Sequence, residues 1–274
     1  MKKISIVLSL LTLIVVQSSA YAQYGEPELQ TVENPKNLYD EGYKTGLGFI
    51  FGLSDFGFGT GVQLRKGVSP YTEALLNLEI AGLRDPREQT YIDYYFTGGR
   101  TIPSKYKRVV TFPVTVGLKR RFFAKQVSDN FRFHTAMSFG PSMAVTFPYF
   151  KDYNGNGFRD ANVSVAEFGA YEPNYDIFSG WKDFEWKRGW TGDLILGIDF
   201  GDNFASLQTF QFGYTFYYFK DGLQIMEPFE PVYDTNGSLV DENGDGQYDV
   251  QPSHDPTKYF GSAQITFIFG WMWD

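Results

Sequence analysis

The sequence predicts an all-β fold: an eight-stranded antiparallel up-and-down transmembrane β-barrel with three long extracellular loops. The first observation is that large apolar residues alternate with small or polar residues along eight segments, the period of a β-strand with two unlike surroundings. The second is that aromatic residues make up 19% of the chain although its mean hydropathy is only −0.28. The third is that short and long connections alternate. Together these features are typical of a barrel with an apolar outside and a polar inside.

The last segment, residues 259–274, shows the alternation most clearly. One face is large and mostly aromatic: Tyr259, Gly261, Ala263, Ile265, Phe267, Phe269, Trp271 and Trp273. The other face is mostly small or polar: Phe260, Ser262, Gln264, Thr266, Ile268, Gly270 and Met272. A strand that ends in Trp residues and faces an apolar medium is typical of the wall of a membrane barrel. A strand of a soluble sandwich is the alternative.

Seven earlier segments repeat this pattern. They are residues 42–53, 56–66, 71–84, 107–123, 131–147, 190–200 and 206–219. In the second segment the alternation places Phe56 and Phe58 outside and glycines inside, which suits a narrow barrel with little interior room. In the fourth segment Pro113 falls on the inward face. Because proline cannot donate a ladder hydrogen bond, we expect a bulge or local break there.

The connections sort by length. After a tight turn at Ser54-Asp55 they run short, long, short, long, short and long, the long ones covering residues 85–106, 148–188 and 220–257. In an up-and-down barrel, alternate connections lie at opposite ends. The three long loops therefore share one end with the tight turn, and the three short turns share the other with both termini. Outer-membrane barrels have this arrangement.

In strand number, alternation and loop arrangement, residues 42–274 resemble the small eight-stranded outer-membrane barrels, the outer-membrane protein A/X/W-like group of Bacteroidota-type genomes. The likeness rests on pattern and topology, so no functional residue is carried over from it. It implies a bacterial outer-membrane location, with membrane lipid and the barrel-assembly machinery as partners. The alternative fold is a soluble lipocalin-like barrel, in which the aromatic face would line a ligand cavity.

The N-terminus predicts export. Residues 1–22 have a basic start at Lys2 and Lys3, an apolar core and a small-x-small end at Ala20-Tyr21-Ala22, which predicts a cleaved signal peptide. An uncleaved anchor is the alternative, but the apolar run is shorter than the ~20 residues that span a membrane. Cleavage would lower the formal charge from −8 to −10, against a nucleic-acid partner. Residues 23–41 are polar and predict a flexible periplasmic tail.

Nine charged or titratable residues fall on the predicted inward face. They are Arg65, Glu73, Glu79, Lys119, Arg121, Arg132, His134, Asp193 and Asp199. Buried charges persist only when they are paired, so we expect an ion-pair network that fills the lumen. A narrow or gated ion path is the alternative. Catalysis by His134 with Asp199 or Glu73 lacks a supporting nucleophile spacing.

Two long loops carry an Asx/Gly pattern with calcium-loop spacing. The candidate ligands are Asp241, Asn243, Asp245, Gln247 and Asp249 in one loop, and Asp152, Asn154, Asn156, Phe158 and Asp160 in the other. Oxygen ligands at these positions with a glycine at the sixth resemble EF-hand loops. The bidentate acid of the twelfth position is missing, so we expect weak Ca²⁺ affinity, on the order of 10⁻⁴–10⁻³ M. Tight Asx turns without metal are the alternative.

The predicted function is that of a non-enzymatic outer-membrane barrel with a structural or adhesion-like surface-binding role. Aromatic residues concentrate in the outer loops: Tyr91, Tyr94, Tyr95, Phe96, Tyr149, Phe150, Trp181, Trp186 and Tyr233. Such a surface could bind an extracellular protein or glycan, or it could form an interfacial girdle. A narrow channel for small or apolar solutes is the main alternative. A membrane-embedded lipid hydrolase is less favoured, for want of a nucleophile constellation.

Overall fold

The computed structural model describes residues 34–92, 100–159, 172–176, 178–201, 203–242, 244 and 248–274. The predicted signal peptide and residues 23–33 of the predicted tail lie outside the described residues. Within the described part, no helix is both long and apolar enough to cross a membrane.

The described residues form twelve strands and one short 3₁₀ helix. The strands are β1 (Thr45–Ser54), β2 (Gly57–Ser69), β3 (Thr72–Leu83), β4 (Tyr91–Ile92), β5 (Arg100–Thr101), β6 (Lys107–Arg121), β7 (Phe131–Pro148), β8 (Glu185–Phe200), β9 (Ser206–Leu223), β10 (Phe229–Pro231), β11 (Val250–Pro252) and β12 (Thr257–Trp273). The 3₁₀ helix covers Ser179–Asp183. β4 pairs with β5 and β10 with β11, as two small hairpins in the long loops.

The other eight strands form one antiparallel sheet that closes on itself. Its order is β1-β12-β9-β8-β7-β6-β3-β2, and β1 pairs with both β2 and β12. The predicted all-β, eight-stranded antiparallel arrangement is therefore confirmed. We call the end where β12 finishes the inner end, and the end that carries the three long loops the outer end.

β8 and β9 extend furthest beyond their predicted bounds. β8 begins at Glu185 instead of residue 190, and β9 continues to Leu223. Arg188 interrupts the outward apolar row between Trp186 and Trp190, yet it pairs with β7 in regular register. At Pro113 the register of β6 against both neighbours is the same before and after the proline, so there is no bulge. The proline only interrupts the pairing of β6 with its two neighbours over a few residues, as expected for a residue without a backbone N–H.

The interior is apolar near both ends and polar between them. At the inner end Leu38, Phe204, Leu207 and Met272 form one buried cluster. At the outer end a larger cluster joins inward residues of five strands to residues of the connections. Its members are Phe56, Leu83, Val109, Ala144, Tyr217, Phe219, Leu223, Ile225 and Phe260. A third cluster, of Leu75, Ala136 and Ile195, lies within the polar stretch.

The alternation along residues 56–66 predicts that Phe56 faces outward, and this prediction is wrong. The residue lies in the β1–β2 turn, where its ring is buried against Tyr217 with centroids 6.1 Å apart. The following glycine, Gly57, has φ = +113°, a conformation that lets the chain turn before β2 begins. The outward row of β2 therefore starts at Phe58.

The described part of the predicted tail, residues 34–41, packs across the inner end. Leu38 is buried in the inner apolar cluster. The backbone N–H of Lys36 donates to Asp129 Oδ2 at 3.1 Å, and Arg121 donates to the Lys36 carbonyl at 2.9 Å. One apolar side chain and two polar contacts therefore hold these eight residues against the inner end.

Candidate functional site

Four inward charges form a compact network in the inner half of the lumen. Lys119 Nζ lies 2.5 Å from Asp199 Oδ2 and 2.8 Å from Glu73 Oε1. Arg65, only 1% exposed, lies 3.5 Å from Asp199 Oδ1. Thr209 donates its hydroxyl to the same Asp199 oxygen at 2.6 Å. Two cations and two carboxylates are thus held within direct reach of one another, which offsets much of the cost of burying them.

Neutral polar side chains, which the pattern of charged residues does not mark, extend this network. Arg65 Nε donates to Gln63, Gln63 donates to Asn77, and Asn77 donates to Thr115, with distances of 2.5, 2.9 and 3.1 Å. Each is the inward residue of its strand, so alternation alone could have identified them. These bonds fix the Arg65 side chain in place.

Three more predicted residues surround the network. His134 Nδ1 lies 3.6 Å from Asp199 Oδ2, while its Nε2 contacts the Gln211 amide at 3.3 Å. Arg132 donates to the backbone carbonyls of Asp129 and Gly201 at 2.8 Å each. Arg121 pairs with Asp129 at 2.8 Å at the inner mouth. These contacts hold the side chains in place, and they present no activated nucleophile.

Glu79 and Asp193 lie apart from this network, in the outer half of the lumen. Asp193 accepts hydrogen bonds from Ser138 at 2.6 Å and Gln264 at 3.5 Å. Among the described residues, no cation lies within ion-pair distance of either carboxylate, and no hydrogen bond reaches the Glu79 side chain. Both acids line one small cavity of about 30 Å³, which is room for a water or a small cation. The predicted single network is therefore two separate groups.

The described parts of the outer loops form a layer with buried charges of their own. Glu88 accepts from Lys105 at 2.8 Å and from Arg84 at 3.2 Å. Burial lowers the pKa of Lys105 below its ordinary value, and the nearby Glu88 carboxylate only partly opposes this. This buried pair fixes the loop that follows β3 against the start of β6.

A second charged contact joins the loop after β3 to the start of β12. Arg87 donates two bonds to Asp85, each 2.8 Å long, and Thr257 donates to Asp85 at 2.5 Å. Burial would raise the pKa of Asp85, but the hydrogen bonds from Arg87 and Thr257 outweigh it and hold that pKa below its ordinary value. The ionised carboxylate therefore stabilises this junction.

Backbone hydrogen bonds connect the three long loops. The amides of Tyr106 and Lys107 donate to the Ile225 carbonyl, and the Tyr149 amide donates to Tyr106. The Arg159 amide donates to Glu227 at 2.9 Å. Burial raises the pKa of Glu227 above its ordinary value, against the bond from Arg159. Of the predicted loop aromatics, Tyr149 and Phe150 are buried inside this layer.

The Asx/Gly loops are only partly described. In the first, Asp152 accepts the amides of Gly155 at 2.7 Å and Gly157 at 3.0 Å. Asn154 and Asn156 likewise accept the amides two residues ahead, at 3.3 and 3.1 Å, and Phe158 is buried. Asp160 lies outside the described residues. These contacts are Asx turns, and calcium loops also contain such turns.

In the second loop, Asp241 accepts the Gly244 amide at 2.8 Å and Asp249 accepts the Glu242 amide at 3.0 Å. Asn243, Asp245 and Gln247 lie outside the described residues. Among the residues that the structure does describe, no group of three or more His, Asp or Glu could hold a metal ion. Calcium binding stays a prediction for both loops.

An exposed aromatic group lies at the outer end beside β8. Phe178 is 81% exposed, and Trp181, Phe184 and Trp186 are about half exposed. Trp181 contacts the Phe147 ring at 5.7 Å, and Phe184 meets Trp186 at 6.0 Å. We call Phe178, Trp181, Phe184 and Trp186 the aromatic patch. The predicted Tyr94, Tyr95 and Phe96 lie outside the described residues.

Searches with this chain match no model of a known protein family and no curated protein.

Proposed function

We propose that this chain is an exported outer-membrane barrel with a filled lumen, whose ordered outer loops present a surface for an extracellular partner. The observation that carries the proposal is the distribution of charge on the outward rows of the eight strands. Their alternation places five charged residues there, all of them basic: Lys66, Arg108, Arg120, Arg188 and Lys220. Every one lies within four residues of a strand end.

This distribution fits a wall surrounded by lipid. Long cationic side chains near strand ends can reach phosphate groups, whereas a carboxylate or a mid-strand charge would meet hydrocarbon. The chain as a whole is acidic, with a formal charge of −8, so an all-basic outward face is not a consequence of composition. A soluble barrel would need no such separation.

Exposed aromatic residues mark both ends of the apolar band. Trp271 and Trp273 lie at the inner end, and Trp190 and Tyr259 lie toward the outer end, all at least 41% exposed. Amphipathic rings favour the headgroup level of a membrane. This supports an apolar band between two interfaces.

The loop layer supports a binding role. Its three loops are connected by backbone hydrogen bonds and by the bond from the Arg159 amide to Glu227, so their described parts form one surface. A preorganised surface loses less entropy on binding than mobile loops do. The aromatic patch offers contact area suited to a protein or to the apolar faces of a glycan. Weak Ca²⁺ binding by the Asx/Gly loops would stiffen this surface further.

The test uses purified, folded protein in detergent micelles, applied to arrays of glycans and extracellular proteins. We expect binding that Phe178→Ser combined with Trp181→Ser reduces roughly tenfold or more. The matched control is Tyr91→Ser combined with Ile92→Ser, which alters exposed residues of a different loop hairpin. Equal loss in both double variants, or no binding by wild type, would remove the surface-binding role.

A narrow cation path is the second candidate function. The acid pair Glu79 and Asp193 favours it, because an interior site with two carboxylates and no described cation could hold a passing cation. Conductance in a planar bilayer separates the two functions. A filled lumen should give no stable open state, whereas a path should give cation-selective current that Glu79→Gln reduces.

A further inference from the structure

A shallow apolar groove of about 550 Å³ crosses the outward face from β6 to β12. The register defines its course: Arg120 lies opposite Thr135, Thr135 opposite Leu196, and Leu196 opposite Phe212. Thr135 is short beside the large side chains of its row, and this leaves the groove open next to Arg120. Its volume lies within the range of ~300–1,000 Å³ that is usual for ligand sites.

The groove climbs from the inner end toward the middle of the wall. Arg120 is one residue from the inner end of β6, which finishes at Arg121. Phe212 is six residues from the inner end of β9, which begins at Ser206. Ala263, at the far end of the groove, is ten residues from the inner end of β12 at Trp273. One end of the groove is therefore basic and peripheral, and the other is apolar and central.

Arg120 has no hydrogen bond or ion pair among the described residues. Its side chain is exposed, and its neighbours across the ladder are Thr72 and Thr135. No acidic residue occupies an outward position of the eight strands, which the structure describes throughout. Among the described residues, the charge of Arg120 therefore has no counterion, and it lies at the mouth of an apolar groove.

We propose that this groove binds one diacyl phospholipid of the inner leaflet, with its phosphate on Arg120 and an acyl chain along the groove toward Ala263. The inference rests on the proposed function, because it takes the outward face to be the lipid-facing face. Charge complementarity selects the occupant: guanidinium groups bind phosphate through paired hydrogen bonds, and the remaining lining is apolar. A second copy of this chain would bring another Arg120 or an apolar wall to the same place and leave the charge unmatched.

The experiment uses delipidated, folded protein in detergent, titrated with palmitoyl-oleoyl phosphatidylethanolamine and read by native mass spectrometry. The matching diacylglycerol, which lacks the phosphate, is titrated in parallel. The variants are Arg120→Gln, Ala263→Phe to fill the far end of the groove, and Lys66→Gln as control. Lys66 is also an exposed outward cation near the inner end of its strand.

We expect Arg120→Gln to weaken phospholipid binding roughly tenfold while leaving diacylglycerol binding unchanged. Ala263→Phe should weaken both lipids, and Lys66→Gln neither. Equal phospholipid affinity in Arg120→Gln and Lys66→Gln would overturn the proposal and indicate non-selective lipid contact.

Heat-modifiable migration and insertion into vesicles, measured on the same samples, separate this inference from the proposed function. If the barrel inserts into vesicles but binds no lipid selectively, only the groove proposal fails. If the chain does not insert, both the groove proposal and the proposed function fail.

Discussion

The two halves of the lumen hold their charges in different ways. In the inner half, Arg65 and Lys119 meet Glu73 and Asp199 directly, so each of these four charges has an opposite charge beside it. In the outer half, Glu79 and Asp193 share a small cavity with hydroxyl and amide groups, and no described cation approaches them. The same polar-inward pattern thus gives a permanent ion-pair network in one place and an uncompensated acid pair in the other.

This difference indicates separate roles. A compensated network mainly fills space and fixes side chains, whereas an uncompensated acid pair must take up a proton, a cation or water. We therefore expect substitutions in the inner network to change stability more than substitutions of the outer acid pair. Any response of the lumen to ions belongs to the outer half.

The largest expected effect comes from breaking the inner network. Lys119→Met removes the cation that contacts both Asp199 and Glu73, and leaves two buried carboxylates with Arg65 alone. We expect a loss of about 3–5 kcal/mol in the free energy of unfolding. Urea unfolding of the folded barrel in vesicles measures it. Lys66→Met is the control, since Lys66 is exposed; a similar small loss in both variants would contradict the comparison.

The second expected effect concerns the segment that closes the inner end. Leu38→Ala removes buried contacts with Phe204 and Met272 and should cost about 2 kcal/mol, less than the network, because residues 34–41 can detach without unfolding the barrel. Faster protease cleavage within residues 34–41 should accompany the loss. Leu38→Met, which conserves the volume, should leave the cleavage rate nearly unchanged. Equal rates for Leu38→Ala and wild type would mean that Leu38 does not anchor the segment.

The third expected effect is the pH dependence of the contact that Asp85 makes in the outer loops. Because the folded-state pKa of Asp85 is below its ordinary value near ~3.9, its stabilisation is complete above that value and is lost as pH falls through the folded-state pKa. Asp85→Asn should therefore cost about 1.5 kcal/mol at pH 7, and the difference from wild type should shrink in strong acid. Hydrogen exchange of the loop amides, compared between Asp85→Asn and wild type at pH 7 and at pH 3, measures the cost at pH 7 and its decrease in acid. If the stability difference between Asp85→Asn and wild type grew in acid, the direction assigned to the pKa shift of Asp85 would be wrong.

The smallest expected effect has the opposite sign. Glu79→Gln removes a carboxylate that has no described cation, so it should leave stability unchanged or raise it by up to about 1 kcal/mol. The same urea unfolding assay applies. A loss as large as that of Lys119→Met would mean that Glu79 has a stabilising partner, and it would erase the contrast between the two halves.

The sequence predicted the strands well because period-two alternation is a local signal. It did not predict the start of β8, where Arg188 breaks the outward apolar row between Trp186 and Trp190 but still pairs with β7. It also missed the anchoring of Leu38, one apolar side chain in a polar stretch whose partners lie more than 160 residues away. The orientation of Phe56 depends on a turn, where alternation no longer applies.

The sequence predicted which side chains of the candidate site face inward, but it did not predict which of them contact one another. Alternation places Arg65, Glu79 and Asp199 inside. Which of them meet depends on the stagger of the strands around the closed sheet, and no single strand encodes that stagger. Arg65 and Asp199 are 134 residues apart in sequence yet in contact, while Glu79, much nearer in sequence, belongs to another group. The two candidate calcium loops gave a spacing signal, but Asp160 of one loop and Asn243, Asp245 and Gln247 of the other lie outside the described part of the chain.

The central claim is that the large outward side chains meet lipid. Because the chain has no cysteine, a nitroxide spin label can be placed at one site without background. The two sites are Leu196, 62% exposed on the outward face, and its neighbour Ile195, buried inside. In vesicles, the label at Leu196 should collide often with oxygen and rarely with a water-soluble nickel complex, and the label at Ile195 rarely with either. Frequent nickel collisions at Leu196 would contradict the account.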